Sequence, residues 1–173
     1  MTKTTELGSE ITVIEGNMDA TGIKFAIVAS RFNDFIVESL IKGAIDCLLR
    51  HGAQTKDLTL IRVPGAFEIA QATKVIAQTT SVKKFDAIIC LGAIIRGATP
   101  HFDLLASTTI KALAQINLEH SIPIGLGILT TDTQEQAIER AGAKAGNKGV
   151  EAAAACLEMV QVMQKLKDNS NAR

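Results

Sequence analysis

The chain contains no tryptophan and no tyrosine, and only six phenylalanines among 173 residues. Its aromatic rings are therefore few enough to place one by one. It carries no net charge, because 18 basic residues balance 18 acidic ones. No basic excess marks a binder of nucleic acid or of an anionic membrane surface, so neither is expected as a partner. No apolar run reaches the length of a membrane span, and the polar first ten residues give no secretory signal. The three cysteines, Cys47, Cys90 and Cys156, are an odd number with no Cys-x-x-Cys pair. Each lies in an apolar stretch, which fits the buried thiols of a cytoplasmic protein better than disulfides or metal ligands. No two histidines stand four residues apart, so a metal site has little support. His51 and His120 each precede a helix-ending residue, where an imidazole can meet the negative end of the helix dipole.

Familiar signatures are also missing. The run Gly142 to Gly149 is rich in glycine and lysine, but it lacks Gly-Lys-Ser/Thr and follows a helical pattern, so it is not a P-loop. Gly125-Leu126-Gly127 lacks the third glycine of a dinucleotide fingerprint, and no Gly-x-Ser-x-Gly elbow occurs.

What is present is an alternation of strand and helix patterns. Apolar runs at Gly22 to Ala29, Leu58 to Val63, Asp86 to Leu91 and Ile124 to Leu129 read as strands. Between the first two, Asn33 can cap a helix with apolar pairs at Ile36/Val37, Leu40/Ile41, Ala44/Ile45 and Leu48/Leu49, which Gly52 ends. Further helices are expected from about Phe67 to Gln78, His101 to His120, Thr133 toward Ala141 (a Thr133/Gln136 capping box) and Asn147 to Lys167. Near-continuous apolar strands alternating with helices imply a parallel sheet covered on both faces. The expected fold is α/β, a flavodoxin-like three-layer sandwich with four core strands. Residues 11–167 form one domain, between a flexible N-terminus at 1–10 and a flexible tail at 168–173. The Ile11-Thr12-Val13-Ile14 run is left over as a short strand needing an edge, which a neighbouring subunit can offer.

In such sheets ligands bind beyond the carboxyl ends of the strands. After the first strand comes Ser30-Arg31-Phe32-Asn33, after the second Val63-Pro64-Gly65-Ala66-Phe67-Glu68, and after the fourth Thr130-Thr131-Asp132-Thr133. After the third comes Gly92-Ala93-Ile94-Ile95-Arg96-Gly97-Ala98-Thr99-Pro100-His101-Phe102-Asp103, taken as a loop of small residues leading into a helix. Such a loop is often only a connection. Here, however, N–H groups at a helix start can hold an anion such as phosphate, and a histidine beside them can exchange protons near neutral pH. These segments together would seat a planar ring on Phe32 or Phe67, a polyol or amide on Asn33 and Glu68, and a phosphate on the third loop.

Four of these segments resemble the 6,7-dimethyl-8-ribityllumazine synthase family. They are Ala29-Ser30-Arg31-Phe32-Asn33, Val63 to Glu68, Gly92 to His101, and Glu139-Arg140-Ala141-Gly142 continuing to Gly146-Asn147-Lys148-Gly149. They occur in the family's order, and the resemblance covers about residues 11–167. It implies a transferase of riboflavin biosynthesis that condenses 5-amino-6-(D-ribitylamino)uracil with 3,4-dihydroxy-2-butanone 4-phosphate, releasing phosphate and water. It implies no cofactor and no metal. Residue by residue, it assigns Phe32 to ring stacking, and Asn33, Ala66, Phe67 and Glu68 to the ribityl chain and ring. It assigns Ala93, Ile94 and Ile95 to the ring pocket, and Ala98 and Thr99 to phosphate, with Arg140 of an adjacent subunit. It makes His101 the proton-transfer residue and brings Lys148 from the neighbour.

Leu126 stands where many members have a phenylalanine on the neighbouring wall, so aromatic stacking from that side is lost. The resemblance also implies a homo-oligomer built on pentamers. The uninterrupted turn from Ala141 to Gly149 favours a sixty-subunit icosahedral shell. The residues alone leave open a passive lumazine or flavin binder, or a scaffold. His101 and Arg140 argue against a passive binder, which needs no proton carrier beside an anion site.

Overall fold

A computed structural model gives the fold and describes residues 11–78 and 85–171. Four parallel strands, β1 (Phe25–Ser30), β2 (Leu58–Val63), β3 (Ala87–Ile95) and β4 (Ile124–Thr131), lie in the order β2-β1-β3-β4. Between and after them come α1 (Asp34–Arg50), α2 (Ala66–Gln78), α3 (His101–His120), the short α4 (Gln134–Glu139) and α5 (Lys148–Asn171). This is the expected three-layer α/β sandwich.

The two central strands explain their own sequences. Every residue of β1 is buried, as is all of β3 except its last residue. Side chains alternate across the sheet. Phe25, Ile27, Ala29, Ile89 and Leu91 therefore join one core with the apolar stripes of α1 and α5, while Ala26, Val28, Ile88 and Cys90 join a second with α2 and α3. The α1 stripe holds largely as expected, except that Leu49 is exposed and Cys47 takes a buried position. All three thiols are free and buried. Burial pushes Cys90 and Cys156 up to about 12. No helix among the described residues is long and apolar enough to cross a membrane.

Five expectations need correction. β1 starts at Phe25, three residues later than expected. β3 does not end at Leu91. Gly92 to Ile95 continue it, paired with Ile128 to Thr131 of an equally extended β4. The loop taken to start at Gly92 thus begins only at Arg96. Asn33 sits at the start of α1 but does not cap it, because a left-handed φ of 59° turns its side chain away. The 11–14 run forms no strand, with Val13 alone at a bridge position. At the other end α5 runs to Asn171, beyond Lys167. The expected flexible segment 1–10 and residues 172–173 of the tail lie outside the described residues.

Candidate active site

After β1 the chain turns outward to β2, and β3 returns on the other side of β1. The carboxyl ends of β1 and β3 therefore border the crevice that such a switch of direction leaves open. Asn33 spans it, with Nδ2 donating to the Ala93 carbonyl at 2.9 Å. The loops after β1 and β2 are also tied together. Arg31 N–H donates to the Val63 carbonyl at 2.8 Å and Phe32 N–H to the Pro64 carbonyl at 3.1 Å. These bonds hold two phenylalanine rings at the rim, Phe32 at 70% and Phe67 at 63% exposure. A large apolar surface left in water on both sides of a crevice is an unfinished contact, suited to a flat ring.

The crevice opens into a cleft of about 630 Å³. Its walls include Phe32, Asn33, Ala66, Phe67 and Glu68 from the first two strand ends. Ala93, Ile94 and Ile95 line it from the last residues of β3, and Thr99 and His101 from the third loop and the start of α3. Glu68 is half-buried in the first turn of α2. A Cβ on Gly65 would come within 3.1 Å of its Oε2, so the glycine leaves that carboxylate its place. Ten of the fourteen expected site residues thus converge.

The other four stand apart. Ala98 is exposed on the third loop, outside the cleft walls. Arg140 is exposed at the end of α4. Leu126 and Lys148 line a second cavity of about 430 Å³ between β4 and α5. Lys148 is ion-paired to Glu151 at 2.8 Å. Its backbone N–H donates to the Arg140 carbonyl at 2.8 Å, so these two cations belong to one locally braced unit. Asn147 braces the same unit. Its Nδ2 donates to the carbonyls of Ser39 and Ala141, and its Oδ1 accepts from the Gly149 and Val150 N–H groups at the start of α5.

The third loop leaves the N–H groups of Gly97, Ala98 and Thr99 without an acceptor among the described residues. They lie just before the N-terminus of α3, where the helix dipole adds positive potential. Arg96 anchors the loop from its β3 side. Its guanidinium makes a two-pronged pair with Asp103, both bonds 2.9 Å, and a third bond to Asp132 at 2.8 Å. It also lies over the Phe102 ring, 4.1 Å from the centroid. These bonds raise the Arg96 pKa, Asp103 contributing most, and Arg96 in turn holds the Asp103 carboxyl below its usual range.

Sequence reasoning missed Phe102 and Leu105, which line the cleft beside His101. For Leu105 the signal was available, since a position four residues after a cleft-facing helical residue shares its face, whereas Phe102, one residue on, does not follow from that spacing. The anchoring role of Arg96 carried no such periodicity.

A flavodoxin-like sheet whose strand ends are built into a cleft of this kind belongs to the α/β enzymes that take small molecules at a switch point. The family model for 6,7-dimethyl-8-ribityllumazine synthase matches residues 22–164. A 6,7-dimethyl-8-ribityllumazine synthase of Nitratidesulfovibrio vulgaris (strain DP4) is 60% identical over 156 residues, covering 90% of this chain and 98% of the relative. Enzymes of the same name from Lawsonia intracellularis and Chlorobaculum tepidum are 55% and 52% identical, over 91% and 88% of this chain and 98% and 97% of their own. The chain belongs to the 6,7-dimethyl-8-ribityllumazine synthase family.

Proposed function

We propose that the protein condenses 5-amino-6-(D-ribitylamino)uracil with 3,4-dihydroxy-2-butanone 4-phosphate to 6,7-dimethyl-8-ribityllumazine, releasing phosphate and water, in riboflavin biosynthesis. The observation that carries the reading is the convergence of three strand ends on one switch-point cleft, in a chain of this family. Phe32 stacks on the pyrimidine ring, and Phe67 borders it. Asn33, Ala66 and Glu68 hold ring and ribityl chain through side-chain and backbone hydrogen bonds. Ala93, Ile94 and Ile95 form the pocket wall. The free N–H groups around Ala98 and Thr99 receive the phosphate, and His101, two residues beyond Thr99 at the start of α3, moves protons during amine addition, dehydration, phosphate elimination and ring closure. Holding both substrates in one cleft turns a bimolecular encounter into a local one.

The site is shared between subunits. Arg140 and Lys148 reach the cleft of an adjacent chain, and Leu126 forms part of its wall. The separation of these three residues from their own chain's cleft supports this arrangement. The assembly is built on pentamers, and the short turn from Ala141 to Gly149 favours closure into a sixty-subunit shell. A cytoplasmic location fits three free, buried thiols.

The test is to mix the two substrates and follow the lumazine by absorbance. Product formation faster than the spontaneous condensation, and proportional to enzyme, supports the reading. A rate equal to the spontaneous one overturns it.

A further inference from the structure

We propose that Arg96 is a positioning residue for the phosphorylated substrate, acting through the loop it anchors and not by touching the anion. The inference rests on the function proposed above, and the geometry carries it. Arg96 does not line the cleft, whereas Gly97, Thr99 and His101, which follow it, do. Its three side-chain hydrogen bonds reach both ends of the structure flanking the loop. Two go to Asp103 in the first turn of α3 and one to Asp132 just beyond β4. Its backbone N–H donates to the Thr131 carbonyl at 2.9 Å, fixing the point where β3 gives way to the loop. The Phe102 ring covers the guanidinium and itself borders the cleft.

A planar guanidinium can hold two carboxylates and a ring face at once, and a lysine ammonium cannot reproduce that fork. The loop between these anchors is three small residues and a proline. It has no side-chain capping bond at the start of α3. Little besides Arg96 fixes where its free N–H groups point.

Charge separates this role from direct binding. Arg96 with Asp103 and Asp132 sums to one negative charge, which repels an anion. Arg96 therefore aids phosphate by holding the donors in place, and the attracting cation must come from elsewhere, as Arg140 of a neighbour would. The two roles differ in sign for an Asp103→Ala change. If Arg96 were an anion ligand, removing Asp103 would free its charge and tighten phosphate binding. If it positions the loop, the same change loosens one anchor and weakens binding despite the loss of a negative charge.

The experiment compares wild type with Arg96→Gln, Arg96→Lys and Asp103→Ala in the assembled enzyme. It reads KM for each substrate, kcat, and the Kd of inorganic phosphate by calorimetry. For Arg96→Gln, the phosphate Kd and the KM of the phosphorylated substrate should rise about tenfold, the scale of one charge-assisted hydrogen bond. The KM of the uracil substrate should stay within about twofold, an asymmetry that a general loss of structure does not produce. Asp103→Ala should move the same two constants upward, and Arg96→Lys should fall between wild type and Arg96→Gln. If Arg96→Gln does not fold, Arg96→Lys and Asp103→Ala decide. The proposal is overturned by unchanged phosphate constants in Arg96→Gln, by an equal rise in both KM values, by tighter phosphate binding in Asp103→Ala, or by an Arg96→Lys variant equal to wild type. A wild type that binds phosphate without turnover removes the enzymatic reading, and Arg96 is then judged on the Kd alone. A wild type that binds no phosphate removes both.

Discussion

At the scale of single residues, the function proposed above separates groups that hold from a group that reacts. His101 lines the cleft at the first position of α3, beside the free N–H groups of the third loop. On that proposal, replacing it with alanine removes the proton carrier and leaves the walls that bind both substrates. His101→Ala should lower kcat by up to ~10²–10⁴-fold with both KM values nearly unchanged. The loss falls toward the lower end because proximity in the cleft survives. Single-turnover rates at saturating substrates check this, and an unaltered rate removes His101 from the chemistry.

The buried thiols make a second prediction, on stability. An unfolded cysteine ionises near 8.5, whereas Cys90 and Cys156 are pushed up to about 12 by burial. Above roughly pH 9 the unfolded chain sheds two protons that the folded chain keeps. Their contribution is therefore complete below the unfolded value and declines from there up to about pH 12, by at most about 1.4 kcal/mol per pH unit for each thiol. The chain has no tyrosine to titrate in the same window. Urea midpoints from pH 8 to 10 should fall with rising pH, and a Cys90→Ala, Cys156→Ala double variant should show a shallower fall. Equal slopes would mean that the thiols are not the cause.

At the scale of elements, the turn between α4 and α5 shows why a glycine-rich run need not be a ligand loop. A Cβ on Gly149 would run into the Leu40 carbonyl oxygen of α1, and one on Gly43 into the Asn147 side chain. The small residues let α1 and α5 approach closely, with Asn147 as the bracket between them. Gly149→Ala should cost roughly 1–3 kcal/mol through overpacking, seen as a fall of several degrees in Tm. Asn147→Ala, which loses the side-chain acceptor at the start of α5 and the bonds to the Ser39 and Ala141 carbonyls, should cost about 2–4 kcal/mol. A Gly149→Ala variant as stable as wild type would show that α5 can shift away freely.

The same elements show what a sequence can carry. The bounds of β2 and α3 follow from local patterning and match residue for residue. The extension of β3 through Ile95 does not, because it depends on pairing with Ile128 to Thr131 of another strand. The side chain of Asn33 is set by a positive φ that its residue type permits but does not announce. Most cleft walls were legible because strand ends are legible, and a parallel sheet gathers them on one edge. The anchoring by Arg96 was not, since its partners lie 7 and 36 residues away.

At the scale of the whole molecule, one chain leaves work unfinished. Phe35, Val75, Leu104 and Leu118 are all more than 60% exposed, and the exposed Ile11 opens a run that forms no strand in its own chain. Such surface suits burial against copies of the same chain. From 18.4 kDa per chain, five copies give about 92 kDa and sixty about 1.1 MDa, which mass photometry separates at once. Particles only near the lighter mass would remove the shell and keep the pentamer. A stable, active monomer would remove both. The sharper test asks whether the site is truly divided. Suppose His101→Ala and Arg140→Ala chains are each nearly inactive and are then co-assembled in equal amounts. A site is whole only where the cleft comes from an Arg140→Ala chain, which keeps His101, and the arm from a His101→Ala neighbour, which keeps Arg140. Random mixing makes roughly one site in four whole, so activity should return to about a quarter of wild type. If Arg140 served the cleft of its own chain, every site would lack one of the two residues however the chains were mixed. Activity that stayed at the level of the separate variants, in particles shown to contain both, would place the whole site within one subunit.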